Sequence, residues 1–283
     1  MRSDLYRDLY EKEQTYWWHI AKRHTILTLL RRYASPPSPA GALVLDVGCG
    51  TGLMLQELRP FGPVAGTDLS DEALAFCRAR GLTDVYRADA AHLPFDDCSV
   101  HIITALDVVE HTADDAAAMA EFKRVLAPGG VLVISVPAYQ RLWSYWDEIL
   151  GHYRRYNAGR LRRLMEQQGF TVELVSYTNV AILAPSVLVR WIKGRGRRPP
   201  SEQPSDFIPV PRLLNSVLIG IYRLETALLR YASLPAGLSV ICVARKPAHV
   251  PLHGSIPSPD VKPATVSGES PNRARSVGPT GAS

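Results

Sequence analysis

The chain has few cysteines for its 283 residues, and Cys49, Cys77, Cys98 and Cys242 fall at no paired spacing. That argues against a disulfide framework and a cysteine-built zinc site, and it fits a reducing, cytoplasmic setting. No metal site is expected. No apolar run is long enough to span a bilayer. The first residues, Met1-Arg2-Ser3-Asp4, lack the apolar stretch of a signal peptide. Charge of one sign is in small excess only, with 32 Lys and Arg against 27 Asp and Glu. The basic residues do cluster, at Arg154-Arg155, at Arg160-Leu161-Arg162-Arg163 and at Lys193-Gly194-Arg195-Gly196-Arg197-Arg198. Yet stacking aromatics are sparse among them, Tyr153 and Tyr156 apart, so no nucleic-acid partner is expected. A solvated helix face is the leading reading of these clusters; an anionic substrate or membrane surface comes second.

What the chain does have is a strand that runs straight into a glycine-rich turn. Leu43-Val44-Leu45-Asp46-Val47 is apolar but for Asp46, and Gly48-Cys49-Gly50-Thr51-Gly52 follows. Three alternate glycines let the backbone bend sharply and approach a ligand where side chains would clash. Cys49 reads as a small residue that fits the bend. Asp46 sets a carboxylate at the mouth of the turn. Residues 64–70 form a second short strand that ends in Asp68. In doubly wound folds a carboxylate there accepts from both hydroxyls of a ribose. Residues 85–90, with Asp89, are a third strand-like piece, and residues 99–106 a fourth, followed by Asp107-Val108-Val109-Glu110-His111. Ala127-Pro128-Gly129-Gly130 is a turn before a fifth strand at 131–136. Helical segments at 71–80 and 114–126 lie between, a pattern that predicts an α/β fold.

The motifs LDVGCGTG at 45–52, GTDLS at 66–70, ADAAHLPF at 88–95, LDVVEH at 106–111 and LAPGGVLVISVP at 126–137 carry a resemblance. In order and spacing the chain resembles the class I S-adenosylmethionine-dependent methyltransferases, in the broad group that includes the ubiquinone-biosynthesis enzymes. The resemblance implies a Rossmann-like, seven-stranded, mostly parallel sheet with helices on both faces. It implies a last strand inserted antiparallel between the fifth and sixth. It also implies S-adenosylmethionine as cofactor. On that resemblance Asp46 and the Gly48-Cys49-Gly50 turn hold the amino-acid end of the cofactor. Asp68 takes the ribose hydroxyls, with Leu69 against the adenine. Asp89 accepts from the adenine amino group, Ala90 offers its amide, and Asp107 lines the pocket near the methyl group or the cofactor's amino group. A nicotinamide fingerprint, G-x-G-x-x-G, fits less well, because the chain reads G-C-G-T-G-L and the last glycine comes one residue early.

Residues 1–36 read as an N-terminal helical lid. The resemblance suggests Tyr16, Trp17 and Arg23 as the groups that close over the cofactor; docking of the helix onto the sheet is the competing reading. Ser35-Pro36-Pro37-Ser38-Pro39 is a stiff linker. Residues 37–247 form the methyltransferase domain. An aromatic-rich loop at 138–147 follows strand five, a helix spans 158–168, strand six 170–177 and strand seven 237–245. Residues 179–236 form a helical insertion between the last two strands. In it Leu213, Leu214, Val217, Leu218, Ile221, Leu224 and Leu228 recur at helical spacing. A substrate cap, a dimer surface and a peripheral membrane contact over 180–232 are its readings; a cap that also touches membrane is the expectation. Residues 248–283, rich in Pro, Ser and Gly, are expected to be a disordered tail.

A sulfonium is an activated methyl donor, so positioning matters more than a particular catalytic side chain. His111, Tyr139 and His152 are the candidates for acid–base work. The neighbouring Arg154 and Arg155 are expected to depress the His152 pKa. Aromatics after strand five and the apolar insertion suggest a small-molecule acceptor, hydrophobic, lipid-like or glycan-linked. A non-catalytic cofactor-binding module and a macromolecular methyltransferase are the alternatives. No Asn-Pro-Pro-Tyr or Asp-Pro-Pro-Tyr follows strand four, which weakens base methylation of nucleic acid.

Overall fold

The computed structural model describes residues 3–34, 42–193 and 210–248. The Ser35–Pro39 linker, most of the Pro-rich break in the insertion, and all but the first residue of the 248–283 tail lie outside them. One seven-stranded sheet is built from β1 (Leu43–Val47), β2 (Val64–Asp68), β3 (Val85–Arg87), β4 (Val100–Leu106), β5 (Leu126–Pro137), β6 (Thr171–Thr178) and β7 (Ser239–Arg245). Its order is β3-β2-β1-β4-β5-β7-β6. β1 to β5 pair in parallel, while β7 runs antiparallel between β5 and β6. This is the topology the motifs implied.

Both faces of the sheet are covered, which is why its strands read as continuous apolar runs. Alternate residues serve opposite cores. Leu45, Ile103, Leu132 and Ile134 pack with Met119 and Phe122 of α5 (Asp115–Val125) and Leu161 and Met165 of α7 (Ala158–Gln167). Val44, Ile102, Val131 and Val133 pack on the other side with Ile26, Leu29 and Leu30 of α2 (Trp17–Tyr33) and with α3 (Leu53–Leu58). Helix starts follow local capping: Ser70 accepts from Ala73 N–H ahead of α4 (Asp71–Ala79), and Asp114 accepts from two amides ahead of α5.

Three expectations need correction. The N-terminal lead is two helices, α1 (Ser3–Lys12) and α2, because the chain breaks between them. Its C-terminal half is no detachable lid, since Ile26, Leu29 and Leu30 are part of the core. The third strand ends at Arg87, leaving Asp89 and Ala90 in the loop beyond it. In the insertion, α8 (Leu183–Lys193) and α9 (Arg212–Leu228) form, but α9 lies against α2, with Tyr222 stacked on Trp17 at 5.3 Å. No described residue of the insertion lines the cavity, so α9 is not a cap over it.

The chain order reverses between β1 and β4. At such a switch point the loops leave in opposite directions and a crevice opens beyond the strands' carboxyl ends. The glycine turn after β1 and the Asp107 segment after β4 flank it.

Candidate active site

A cavity of about 990 Å3 occupies that crevice. Its floor is the end of β1. Asp46 is buried there and accepts from Thr104 Oγ1 at 2.6 Å. Burial pushes the Asp46 carboxyl up to about 7, the Thr104 hydrogen bond pulls it down, and nearby Asp68 adds to the rise. The chain then turns through Gly48 at φ 68°, where a Cβ would run into the Val108 side chain. Glycine is needed here for both conformation and space. Cys49, Gly50 and Thr51 line the wall.

Asp68, at the end of β2, ties this turn in place. Its Oδ2 accepts from Gly50 N–H at 3.0 Å and its Oδ1 from Ser70 N–H at 2.9 Å. Leu69 is exposed at the cavity edge and Ala90 is buried in its wall. Asp89 lines the cavity while its Oδ1 accepts from Ala91 N–H at 2.8 Å. Asp107 follows β4 in a left-handed conformation, φ 56°, an uncommon state for a residue with a side chain. Ser135 O accepts from its backbone N–H, and Lys22 Nζ donates to its carboxylate.

The N-terminal helices close one side. On α2, Trp18, His19, Lys22 and Arg23 line the cavity; Trp17 does not. Trp17 faces α9, so of the adjacent pair Trp18 is the cavity residue. Tyr16 also packs with the α9 cluster, away from the cavity. Arg23 donates to Glu57 at 2.9 Å and to the Glu13 carbonyl at 2.6 Å. Buried Glu13 in turn accepts from Thr51 of the glycine turn and from Arg80, each at 2.5 Å. The lead segment is thus latched directly to the turn.

On the opposite side lie Glu110, His111 and His152, whose ligand-type atoms all fall within 4.8 Å of one another. One carboxylate and two imidazoles are also the donors a divalent cation takes. The histidine rings meet edge-on at 4.6 Å. Burial, and then His152, lowers His111 to about 4, so its ring is neutral near pH 7. His152 Nδ1 lies 2.9 Å from Asp147 Oδ1. Arg155 is not aimed at His152; it clasps Asp147, at 2.7 and 3.1 Å, and Arg154 pairs with Asp115. Burial pushes Asp147 up, but the bonds from His152 and Arg155 outweigh it and hold the carboxyl below its ordinary value. Trp146 and Tyr153 add aromatic wall. Tyr139 is not in the cavity. At φ 58° its backbone turns the ring onto Tyr177, stacked at 5.1 Å, and that removes it from the acid–base candidates.

Glu110 is fully buried, and neither carboxylate oxygen has a hydrogen-bond partner among the described residues. Burial and then Asp107 hold its pKa well above the ordinary value. A raised folded-state pKa means that stability falls as pH rises above the unfolded value of about 4.3. Glu110→Met is therefore expected to stabilise the protein by about 1–3 kcal/mol at pH 8 and by less at pH 4.5. Urea denaturation at both pH values checks this; a variant less stable than wild type at pH 8 refutes it.

The methyltransferase-domain profile matches residues 17–175, more than half of the chain. The chain belongs to the methyltransferase-domain family. The chain spans 62%, 43% and 39% of the length of three curated relatives that it matches. A Mycolicibacterium smegmatis protein named a probable S-adenosylmethionine-dependent methyltransferase is 34% identical over 57% of this chain and 62% of its own. The ubiquinone biosynthesis O-methyltransferase of Methylococcus capsulatus is 29% identical over 64% of this chain and 75% of its own. A solved chain from the Haloferax volcanii complex of the Trm112 methyltransferase activator with its methyltransferase superposes with a TM-score of 0.55. It is 20% identical and covers 87% of this chain and 98% of its own, a likeness of fold.

The cavity of this methyltransferase-domain chain fits S-adenosylmethionine, the cofactor in the name of the Mycolicibacterium relative. Carboxylates stand at or beyond the ends of β1, β2, β3 and β4, and the glycine turn gives backbone access where a Cβ would not fit. Sequence reading missed Trp18, His19, Lys22, Asp147 and Glu110 as site residues. For the α2 group the signal was present: Trp18 lies four residues before Lys22, and His19 four before the already named Arg23, so each pair shares a helix face.

Proposed function

We propose that this protein transfers a methyl group from S-adenosylmethionine to a hydroxyl or carbon nucleophile on a small, hydrophobic acceptor. The observation that carries the reading is one cavity with two chemically distinct sides. Asp46, the 48–50 turn, Asp68, Leu69, Asp89 and Ala90 form the cofactor side. Asp107, His111, His152, Trp146 and Tyr153 form the acceptor side. The quinone-directed name of the Methylococcus relative supports a small-molecule acceptor.

When bound, the cofactor supplies an electrophilic methyl group on a sulfonium. The chain's own residues do the rest. Asp46, as carboxylate, pairs with the ammonium end, and Asp68 accepts from the ribose hydroxyls. Lys22 neutralises Asp107, so that segment can approach the reacting centre without an uncompensated charge. His111, neutral because buried, takes the proton of an acceptor hydroxyl at its ring nitrogen. His152, held by Asp147, packs the His111 ring edge-on. Trp18, Trp146 and Tyr153 exclude water and give a flat apolar surface to the acceptor.

Titration calorimetry with S-adenosylmethionine and S-adenosylhomocysteine tests the cofactor side. Cofactor binding needs the Asp46 carboxylate, whose free-protein pKa lies at about 7. Affinity is therefore expected to be about tenfold weaker at pH 6 than at pH 8, with proton release on binding, and Asp46→Asn should abolish that dependence. A radiolabelled-methyl screen of quinols, phenols and lipid-linked glycans tests the acceptor side. Failure of the folded protein to bind either cofactor form would sink the reading.

A further inference from the structure

The face of α9 that points away from the protein has the wrong chemistry for water. Its inner face, Leu218, Tyr222, Thr226 and Leu229, packs inward, chiefly against α2. Opposite, Leu213 is 79% exposed and Leu224 64%, with Leu214, Val217, Ile221 and Leu228 each exposed by 40% or more. These recur at three- and four-residue spacing, so they form one continuous apolar stripe along the helix. A helix apolar all round is normally covered on all sides, and a rimmed apolar patch of this size marks a contact surface. On α8, Val187 and Leu188 are exposed as well.

Charge decides what covers it. Arg212, Arg223 and Arg230 are all exposed. Arg212 and Arg223, eleven residues or about three turns apart, share one flank of the apolar stripe, and Arg230 follows just past the end of the helix. The only acid of α9, Glu225, is buried, its carboxylate accepting from the Asn179 and Val180 amides. The sequence between α8 and α9 adds Arg195, Arg197 and Arg198. A second copy docked by this stripe would bring arginines together with no exposed acid on the helix to offset them. The 249–283 segment has no Phe, Trp or Tyr and a single leucine, too little to cover six large side chains. A phospholipid surface with anionic headgroups satisfies both features, since acyl chains meet the stripe and headgroups meet the arginines. No helix among the described residues is long and apolar enough to cross a membrane, so the contact is peripheral.

We infer that α9 is the docking element of a peripheral membrane protein and binds anionic phospholipid bilayers through its apolar stripe and flanking arginines. This stands apart from the proposed chemistry, because the cavity contributes none of the residues involved. It also gives a greasy acceptor a source, the leaflet on which the protein sits.

Flotation of the full chain with vesicles tests it. The protein should float with phosphatidylcholine vesicles containing a quarter phosphatidylglycerol, and not with phosphatidylcholine alone. Raising salt to half molar should weaken the binding. Arg212→Gln/Arg223→Gln/Arg230→Gln should lower partitioning about a hundredfold. Leu213→Ser/Leu224→Ser/Leu228→Ser should abolish it. Both variants alter exposed positions, so thermal unfolding and S-adenosylmethionine titration should match wild type. Wild type that ignores anionic vesicles, or variants that bind as wild type does, overturns the inference. So does a dimer in analytical ultracentrifugation that the serine variant converts to monomer without any vesicle binding, since a second copy is then the occupant. Loss of methyl transfer with vesicle binding intact would count against the proposed chemistry alone.

Discussion

Asp68→Ala is expected to lower the affinity for S-adenosylmethionine by a factor of about 10²–10⁴. A carboxylate that accepts from two ribose hydroxyls makes two charge-assisted hydrogen bonds, each worth about 1.5–3 kcal/mol. About 1.4 kcal/mol corresponds to tenfold in affinity. A second effect adds to the first. The same carboxylate receives Gly50 N–H and Ser70 N–H, so its removal also loosens the turn whose backbone faces the cofactor. Asp68→Asn separates the two contributions: its one acceptor oxygen retains part of the loop tie but cannot serve both hydroxyls. The order of affinity should be wild type, then Asn, then Ala, with a cooperative unfolding transition in all three. Calorimetric titration reads the affinities directly. An alanine variant that binds within about threefold of wild type would remove Asp68 from the cofactor side.

The sheet order was legible through the resemblance that the five motifs carry. The placing of Asp46, Asp68 and Asp107 was legible because a parallel strand buried on both faces writes itself as an apolar run, and β1, β2 and β4 each have an acid at or just beyond the end of the run. The phase of α2 was not legible in the same way. Trp17 and Trp18 are adjacent, about 100° apart on the helix, and choosing between them requires knowing that Tyr222 waits on one side. That partner is some two hundred residues away in sequence, inside an insertion whose packing no local pattern fixes. Tyr139 failed as a site residue through backbone rather than side-chain chemistry. It follows the end of β5, where ligands gather, but its left-handed φ turns the ring away to Tyr177. Glu110 carried no separate signal in the sequence. In the fold it is the least satisfied polar group at the site, and only three-dimensional burial reveals that. The apolar spacing of α9 was plain, but periodicity gives no sign of which neighbour each face meets. Among the described residues α2 meets one face and the other is exposed.

His111→Ala is expected to reduce kcat by about 10²–10⁴, the usual contribution of a positioned general base, while leaving the S-adenosylmethionine affinity close to wild type. The pH profile distinguishes this role from a structural one. A base works only when deprotonated, so the rate falls as pH drops through its pKa. An ordinary histidine would give that limb near 6.5. Burial, and then the adjacent His152, lowers His111 to about 4, so kcat at saturating cofactor should hold a plateau from about pH 5 to pH 8 and fall only near 4. His152→Ala removes one of the two leading causes and opens the site to water, which removes part of the other. Its limb should therefore move upward, toward the ordinary value, even if its plateau rate also falls. These outcomes are linked by sign: burial disfavours the imidazolium, a second imidazolium nearby disfavours it further, and relief of either must raise the pKa. A wild-type limb near 6.5 would mean that the proton is taken by a group in an ordinary environment and not by His111. A limb near 4 that fails to move in His152→Ala would mean that the edge-on pair is packing alone, with no electrostatic coupling across it.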